Sequence, residues 1–230
     1  MTQLNLSAVI AAAGIGKRVG ANIPKQYLPL LGKTIIEHSM QPFLNHPEIK
    51  TVIVCIAEND QWFNHLAVAK HPKVGVVWGG KERVDSVLCA LKVLPESDYV
   101  LVHDAARPCI KSADINKLIK CVEQSKQGAI LGTKVRDTMK RSNVSGQIIQ
   151  TVPRDNLWHA LTPQLFENKA LISAIEKAEC AQHITDEASV MEMAGLPVTI
   201  IEGRSDNLKV TREEDLKLAE LYLSSQVNKY

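Results

Sequence analysis

The sequence predicts an α/β protein, a mostly parallel sheet with helices on both faces. Three observations carry that expectation. Short β-branched runs alternate with amphipathic stretches through the 230 residues. Capping pairs stand where several of the amphipathic stretches begin. Glycine-rich or acidic segments follow the strand runs, and ligands of open α/β sheets bind beyond the carboxyl ends of strands.

The first strand candidate is Ala8–Ala13, which breaks into Gly14-Ile15-Gly16-Lys17-Arg18. Thr34 and Glu37 form a T-x-x-E capping box opening a helix that reaches about Leu44. Thr51–Ala57 and Val74–Trp78 are the next strands, and Gly79-Gly80 then opens a helix with Ser86 on its first turns. Tyr99–His103 follows. Ser112 is placed to cap a helix in which Ile115, Leu118, Ile119 and Val122 recur at the helical period. Ala129–Gly132 and Val198–Glu202 complete the regular strands, and Thr211 with Glu214 makes a second capping box before Leu216, Ala219 and Leu223.

One stretch breaks the alternation. Residues 134–155 are polar and basic, with a turn expected at Ser142-Asn143-Val144-Ser145-Gly146 and a strand at Ile148–Val152. That pattern predicts a protruding two-stranded β-arm. An isolated hairpin is marginal in water, so the arm needs something to pack on, and dimerisation is the favoured use over a loose excursion. No repeat, low-complexity tract or linker interrupts the chain, so residues 1–230 read as one domain carrying that arm.

Composition narrows the function classes. Hydrophobic residues make up 45%, enough for a substantial core. A formal charge of +2 is too small for a nucleic-acid groove, so any basic site must be local. The five cysteines (55, 89, 109, 121, 180) are odd in number and contain no C-x-x-C pair, against a disulfide framework or a cysteine-rich zinc site. Met1 leads through Thr2-Gln3 to the first strand, and no apolar run is long enough to span a bilayer. A cytoplasmic protein with neither membrane nor nucleic-acid partner is expected.

The opening loop reads as a polyphosphate cradle. Glycines let the backbone approach a bulky anion with its amides pointing inward, and Lys17, Arg18 and Lys25 supply charge within nine residues. A dinucleotide loop needs G-x-G-x-x-G, whereas these glycines fall at 14, 16 and 20. A P-loop is also excluded: Gly32-Lys33-Thr34 imitates its tail, but the leading glycine would have to be Tyr27.

Three further segments carry chemistry. In His103-Asp104-Ala105-Ala106-Arg107-Pro108, Asp104 at a strand end is a candidate Mg²⁺ ligand, since magnesium takes one or two carboxylates and completes its shell with phosphate and water. Asp104 could equally pair with Arg107 at a turn, and His103 is expected to be packed or hydrogen-bonded. In Gly79-Gly80-Lys81-Glu82-Arg83-Val84-Asp85-Ser86, the loop amides and the Ser86 hydroxyl could read a nucleobase edge, or the segment is a simple tight turn. In Gly203–Thr211, Lys209 stands between apolar neighbours just before a helix, aimed inward at phosphate or snorkelling from an edge strand.

Together these segments resemble a known family. Ala11-Ala12-Ala13-Gly14-x-Gly16-x-Arg18, Pro24-Lys25-Gln26-Tyr27, Gly79-Gly80-x-x-Arg83-x-x-Ser86, His103-Asp104-Ala105-Ala106-Arg107-Pro108 and Val135-Arg136-Asp137-Thr138 stand in order. Trp158-His159-Ala160-Leu161-Thr162-Pro163-Gln164, Thr185-Asp186-Glu187-Ala188 and Asp206-Asn207-x-Lys209-Val210-Thr211 follow. The ordered set, from Ala11 to about Leu223, is similar to the 2-C-methyl-D-erythritol 4-phosphate cytidylyltransferases of the non-mevalonate isoprenoid pathway.

The resemblance implies a Rossmann-like fold of the nucleotidyltransferase type, a homodimer joined through the arm, and Mg²⁺ as cofactor. It implies that Arg18, Lys25 and Lys209 are catalytic, stabilising charge at the α-phosphate of CTP. Ala12, Ala13, Gly14, Gly16, Gly80, Ser86, Asp104 and Ala105 would bind the nucleotide, Gly80 and Ser86 at the cytosine, with Asp104 holding the metal. Arg107, Thr138, Arg154 and Asp206 would bind methylerythritol phosphate, Thr138 and Arg154 by reaching into a partner subunit. Lys81 departs from the acidic or small residue common in that family, Val19 replaces a commoner methionine, and Pro153 removes an amide from the arm.

The implied reaction is attack by an acceptor phosphate oxygen on the α-phosphorus of CTP with release of pyrophosphate. That oxygen is already anionic, so no general base is required, and catalysis rests on alignment and charge neutralisation. A ribitol 5-phosphate cytidylyltransferase would share the triphosphate site and differ only in the acceptor pocket. A catalytically silent nucleotide-binding module is disfavoured by the joint presence of Arg18, Lys25, Asp104 and Lys209. A dinucleotide-dependent oxidoreductase is disfavoured by the glycine spacing.

Overall fold

A computed structural model describes residues 4–14, 23–94, 98–178 and 184–227. Four strands alternate with helices through the first half: β1 (Leu6–Ala11), β4 (Ile49–Ile56), β5 (Val74–Trp78) and β6 (Tyr99–Asp104). A two-residue hairpin, β2 (Pro29–Leu30) with β3 (Lys33–Thr34), precedes helix α1 (Ile35–Leu44). Helix α2 (Arg83–Val93) follows β5, and α3 (Ser112–Ser125) follows β6. The second half runs β7 (Gly128–Lys134), the arm strands β8 (Met139–Ser142) and β9 (Ile148–Val152), then β10 (Trp158–Glu167) and α4 (Asn168–Lys177). Helix α5 (Glu187–Met193), β11 (Val198–Glu202) and α6 (Glu213–Val227) complete it.

The central sheet has seven strands in the order β11-β7-β10-β6-β1-β4-β5. All neighbours are parallel except β10, which runs antiparallel to both β6 and β7. This is the mostly parallel α/β sheet the alternation predicts.

Both faces are covered. On one, Ile36, Met40 and Phe43 of α1 and Ile115, Leu118 and Val122 of α3 pack against Leu6, Ala8, Ile10 and Leu101. On the other, Val87 and Leu91 of α2, Leu171 and Ile175 of α4 and Val190 of α5 cover Val9, Val100 and Val102. Strands alternate their side chains between faces, so Val9 and Ile10 necessarily serve opposite layers. Ala219 of α6 closes a third cluster with Leu28, Leu30, Cys109 and Val210.

Several local expectations are corrected. β1 starts at Leu6 and ends at Ala11, so Ala12-Ala13-Gly14 belongs to the loop beyond it. The Thr34–Glu37 capping box is present, with Thr34 N–H donating to Glu37 Oε2 at 2.8 Å. Ser112 is the first residue of α3 and does not cap it; Asp114 accepts the Lys111 N–H instead. Before α6 the capping carboxylate belongs to Asp215, not Glu214, and accepts from the Thr211 hydroxyl and from the Thr211 and Arg212 amides.

β10 is absent from the sequence reading because Pro163 interrupts it, and a proline demotes a run as a central strand. The sheet accommodates the proline at a shift in the β7 pairing between Leu161 and Gln164. Among the described residues no helix is long and apolar enough to cross a membrane.

Candidate active site

Three strand ends build the site. β1 and β6 lie side by side, and the Ala105 N–H donates to Ala11 O at 3.2 Å, holding the two exits together. Beneath the β1 exit the buried Gln26 amide donates to Ala12 O (2.7 Å) and Gly14 O (3.2 Å). Gln26 lies in the single turn Lys25–Tyr27, so the same contact brings Lys25 to the edge of the loop.

The β5 exit, Gly79-Gly80, must come very close to its neighbours. A Cβ on Gly79 would stand 2.5 Å from Ser86 Oγ and 2.6 Å from the Ala13 Cβ, and one on Gly80 2.4 Å from the Asp85 Cβ. Ser86 is buried; its hydroxyl donates to Glu82 O and accepts the Gly80 N–H, both at 3.1 Å. Its hydroxyl proton thus shapes the loop, and a base would meet a surface already fixed by that bond.

Asp104, the last residue of β6, is 6% exposed and engages three cations. Arg83 Nε and NH2 reach its Oδ1 at 3.3 and 3.2 Å. Arg107 Nε (3.3 Å) and Lys209 Nζ (3.0 Å) reach Oδ2. Burial alone would raise this carboxyl, but the charges of Arg83, Lys209 and Arg107 outweigh it and hold Asp104 well below the usual carboxylate range.

His103 is fully buried, and burial pushes it down to about 3, so it is neutral at physiological pH. Its Nε2 lies 3.2 Å from Arg107 O, a group that only accepts, so Nε2 carries the proton. Nδ1 then accepts from the Thr162 hydroxyl (2.9 Å), whose oxygen accepts the Asp104 N–H (3.1 Å). Asn207 Nδ2 donates to Thr162 O (2.8 Å), and the Asn207 backbone carbonyl accepts from Arg107 NH1 (2.9 Å). His103 is a scaffold for Asp104, as expected of a hydrogen-bonded histidine.

Two cavities meet at Asp104. The first, about 260 Å³, is lined by Ala12, Ala13, Gly14, Lys25, Gly80, Ser86, Asp104, Ala105 and Lys209, all expected nucleotide or catalytic positions, and also by Lys81, Glu82 and Arg83. The second, about 220 Å³, is lined by Arg107, Leu161, Thr162, Gln164, Thr185 and Asp186. Arg83, Asp104 and Lys209 line both.

The remaining expectations fare differently. Gly16 and Arg18 lie outside the described residues. Thr138 and Arg154 are exposed at the root of the arm, where Arg154 donates to Arg136 O, and they line neither cavity of this chain. Asp206 lines neither cavity; its carboxylate instead pairs with Arg204 at 2.5 Å, and Arg204 is bound in turn by Asp114. Sequence reasoning missed Arg83, Thr162, Gln164 and Glu187. All four stand inside quoted motifs, and an arginine three positions after Gly79-Gly80, at the start of the following helix, was a usable signal.

Residues 6–225 match the family model of 2-C-methyl-D-erythritol 4-phosphate cytidylyltransferase (IspD). The chain belongs to this family. A member from Aeromonas hydrophila is 54% identical over 229 residues, covering 98% of this chain and 93% of its own. One from Shewanella oneidensis is 53% identical over 220 residues, covering 95% and 88%. The crystal structure of the Francisella tularensis member aligns with TM-score 0.82 at 35% identity, over 95% of this chain and 99% of that one. As a cytidylyltransferase the chain is a nucleotidyltransferase enzyme, and its sheet is that of the family's solved structures.

Proposed function

We propose that the cavity beneath the β1 and β5 exits holds CTP, that the cavity at Thr162 and Thr185 holds the acceptor, and that transfer occurs at Asp104 between them. The family's reaction is cytidylyl transfer from CTP to 2-C-methyl-D-erythritol 4-phosphate, in non-mevalonate isoprenoid precursor synthesis. The observation that carries the site assignment is the shared wall: Arg83, Asp104 and Lys209 border both cavities.

An acceptor phosphate oxygen forms the new bond to the α-phosphorus while the bond to the β-phosphate oxygen breaks, and pyrophosphate leaves with that electron pair. No proton has to be removed from the nucleophile. His103, neutral and bonded at both nitrogens, and Cys55, pushed up to about 12 by burial, are accordingly left out of the chemistry. Lys25 and Lys209 neutralise phosphate charge, a role the sequence motif extends to Arg18. The loop amides and Ser86 orient the nucleotide, and Arg107 orders the wall through Asp104 and Asn207 O.

Mg²⁺ suits this site. Asp104 is ionised and would offer a hard oxygen donor on displacing one of the cations that now meet its two oxygens, Lys209 being the most exposed of them. That donor set suits an ion completing its shell with phosphate and water. When bound, the ion supplies further neutralisation of triphosphate charge.

The domain spans residues 1–230, with the 134–155 arm as its dimerisation element. The arm's support is its exposed apolar surface: Ile148 and Ile149 are 65% and 62% exposed, and Val144 stands fully out at the turn. Thr138 and Arg154 sit at the root of that arm, where they would complete the acceptor site of a partner subunit. Asp206 keeps a place in this reading only through Arg204. A cytoplasmic setting with small-molecule substrates accompanies it.

A pyrophosphate-release assay tests the function. CTP, UTP, ATP and GTP are each offered with methylerythritol phosphate or ribitol 5-phosphate, with and without Mg²⁺. Release only with CTP, methylerythritol phosphate and Mg²⁺ is expected; preferred turnover of ribitol 5-phosphate would overturn the acceptor assignment.

A further inference from the structure

We infer that Glu187 is a positioning residue for this reaction: through Arg83 it fixes the Asp104 carboxylate at the wall between the two cavities. The inference rests on Asp104 standing beside the reacting phosphate. Glu187 is the first residue of α5, and its side chain is only 2% exposed. A carboxylate so buried needs a partner. Arg83 provides one with a fork, NH1 to Oε1 at 2.6 Å and NH2 to Oε2 at 3.1 Å.

The adjacent edge of the same guanidinium, Nε and NH2, holds Asp104 Oδ1. A guanidinium is planar and rigid. Its orientation on Glu187 therefore dictates where Asp104 Oδ1 is held, while Arg107 and Lys209 act on the other oxygen.

Glu187 is itself anchored. Gln164, wholly buried in β10, accepts the Ala188 N–H at 2.9 Å and donates to Asp186 Oδ2 at 2.8 Å, pinning the start of α5 to the sheet. Asp186 Oδ1 accepts the Ser189 N–H at 2.9 Å. The chain of contacts runs Gln164, α5, Glu187, Arg83, Asp104. Arg83 also opens α2, directly after the Gly79–Glu82 loop, so the same tie steadies the nucleotide side. This gives a role to Glu187, which lines neither cavity, beside Thr185 and Asp186, which line the second.

A purely structural ion pair and a positioning pair respond differently to replacement. Replacing both members of a buried pair with apolar residues of similar volume is often neutral or stabilising, so it restores the fold without restoring alignment. The variants Glu187→Gln, Arg83→Met and Arg83→Met/Glu187→Met, in the full chain, separate the two by pyrophosphate-release kinetics and thermal melting. Glu187→Gln is expected to lower kcat about tenfold or more while KM for CTP changes by less than about threefold. The double variant is expected to melt near the parent yet to turn over no faster than Arg83→Met. Recovery of parental kcat together with stability in the double variant would overturn the inference, as would parental kcat in Glu187→Gln. Either variant decides the matter if the other does not fold. Were the site assignment itself wrong, Lys25→Ala and Lys209→Ala would keep parental kcat, whereas failure of this inference leaves those two variants impaired.

Discussion

The Lys209 ammonium lies 3.0 Å from the Asp104 carboxylate, and of the three cations on that carboxylate its side chain is the most exposed, at 39%. Arg107 holds Asp104 from inside the protein, Arg83 is shared between Asp104 and Glu187, and Lys209 lines both cavities. Of the charges on Asp104 it is therefore the most accessible to an incoming phosphate.

Lys209→Ala should lower kcat by about 10²–10³, the usual cost of one preorganised charge-stabilising donor. The fold should survive, because Asp104 keeps two cationic partners. Lys25→Ala should behave alike. Steady-state kinetics at saturating CTP with circular dichroism checks both, and near-parental kcat in either would remove its assigned role.

Gly79→Ala should raise KM for CTP about tenfold or more, since overpacking a tight contact typically costs about 1–3 kcal/mol. The new methyl would meet Ser86 Oγ and the Ala13 Cβ, forcing the β1 and β5 exits apart. KM for the acceptor should move little. Nucleotide affinity measured by calorimetry reads the effect directly.

Stability should depend on pH through His103. Burial pushes its folded value down to about 3 from the ordinary 6.5, so between those values the unfolded chain binds a proton that the native protein refuses. The contribution is complete above about pH 6.5 and declines as pH falls toward 3, at up to about 1.4 kcal/mol per pH unit. Asp104, held low by its cations, adds a loss of the same sign at still lower pH. Urea unfolding at pH 7, 6, 5 and 4 should show a shallower slope for His103→Gln than for the parent; parallel slopes would refute the assignment.

The arm can be tested by mixing two impaired chains and assaying at acceptor well below the KM of the Arg154 variant, where each alone is nearly silent. Arg154→Ala should chiefly raise KM for the acceptor, whereas Lys25→Ala lowers kcat. Co-refolded in equal amounts, the two should recover about a quarter of parental activity if the arm acts on a partner, since half the dimers are mixed and each has one intact site. An arm acting within its own chain would give no recovery.

Much of this was legible in residues. Val74–Trp78, Val198–Glu202 and Ile148–Val152 were readable to the residue because β-branched runs end at glycine, proline or polar breaks. Asp104 and Lys209 stood out as candidates because a carboxylate at a strand exit, or a lysine between apolar neighbours, needs a reason, and the structure brings the two together at 3.0 Å. β10 was not, since a proline in a strand is tolerated only where pairing shifts, and pairing is a property of the neighbour. Glu187 was not, because nothing local marks a carboxylate whose partner stands 104 positions earlier. The α6 cap went to Asp215 over Glu214 because the shorter side chain met three donors at once.

The arm leaves the sheet on β7 and returns on β10, two strands already zipped together from Ala129–Leu165 out to Lys134–Trp158, with Val135 N–H on Leu157 O one step beyond. Its outgoing and incoming ends are thus clamped side by side before it departs. Residues can be added to or deleted from the outer segment in pairs without rethreading a single strand of the catalytic sheet. The length of the outer segment is thus set apart from the threading of the sheet, as a jib is from a fixed mast.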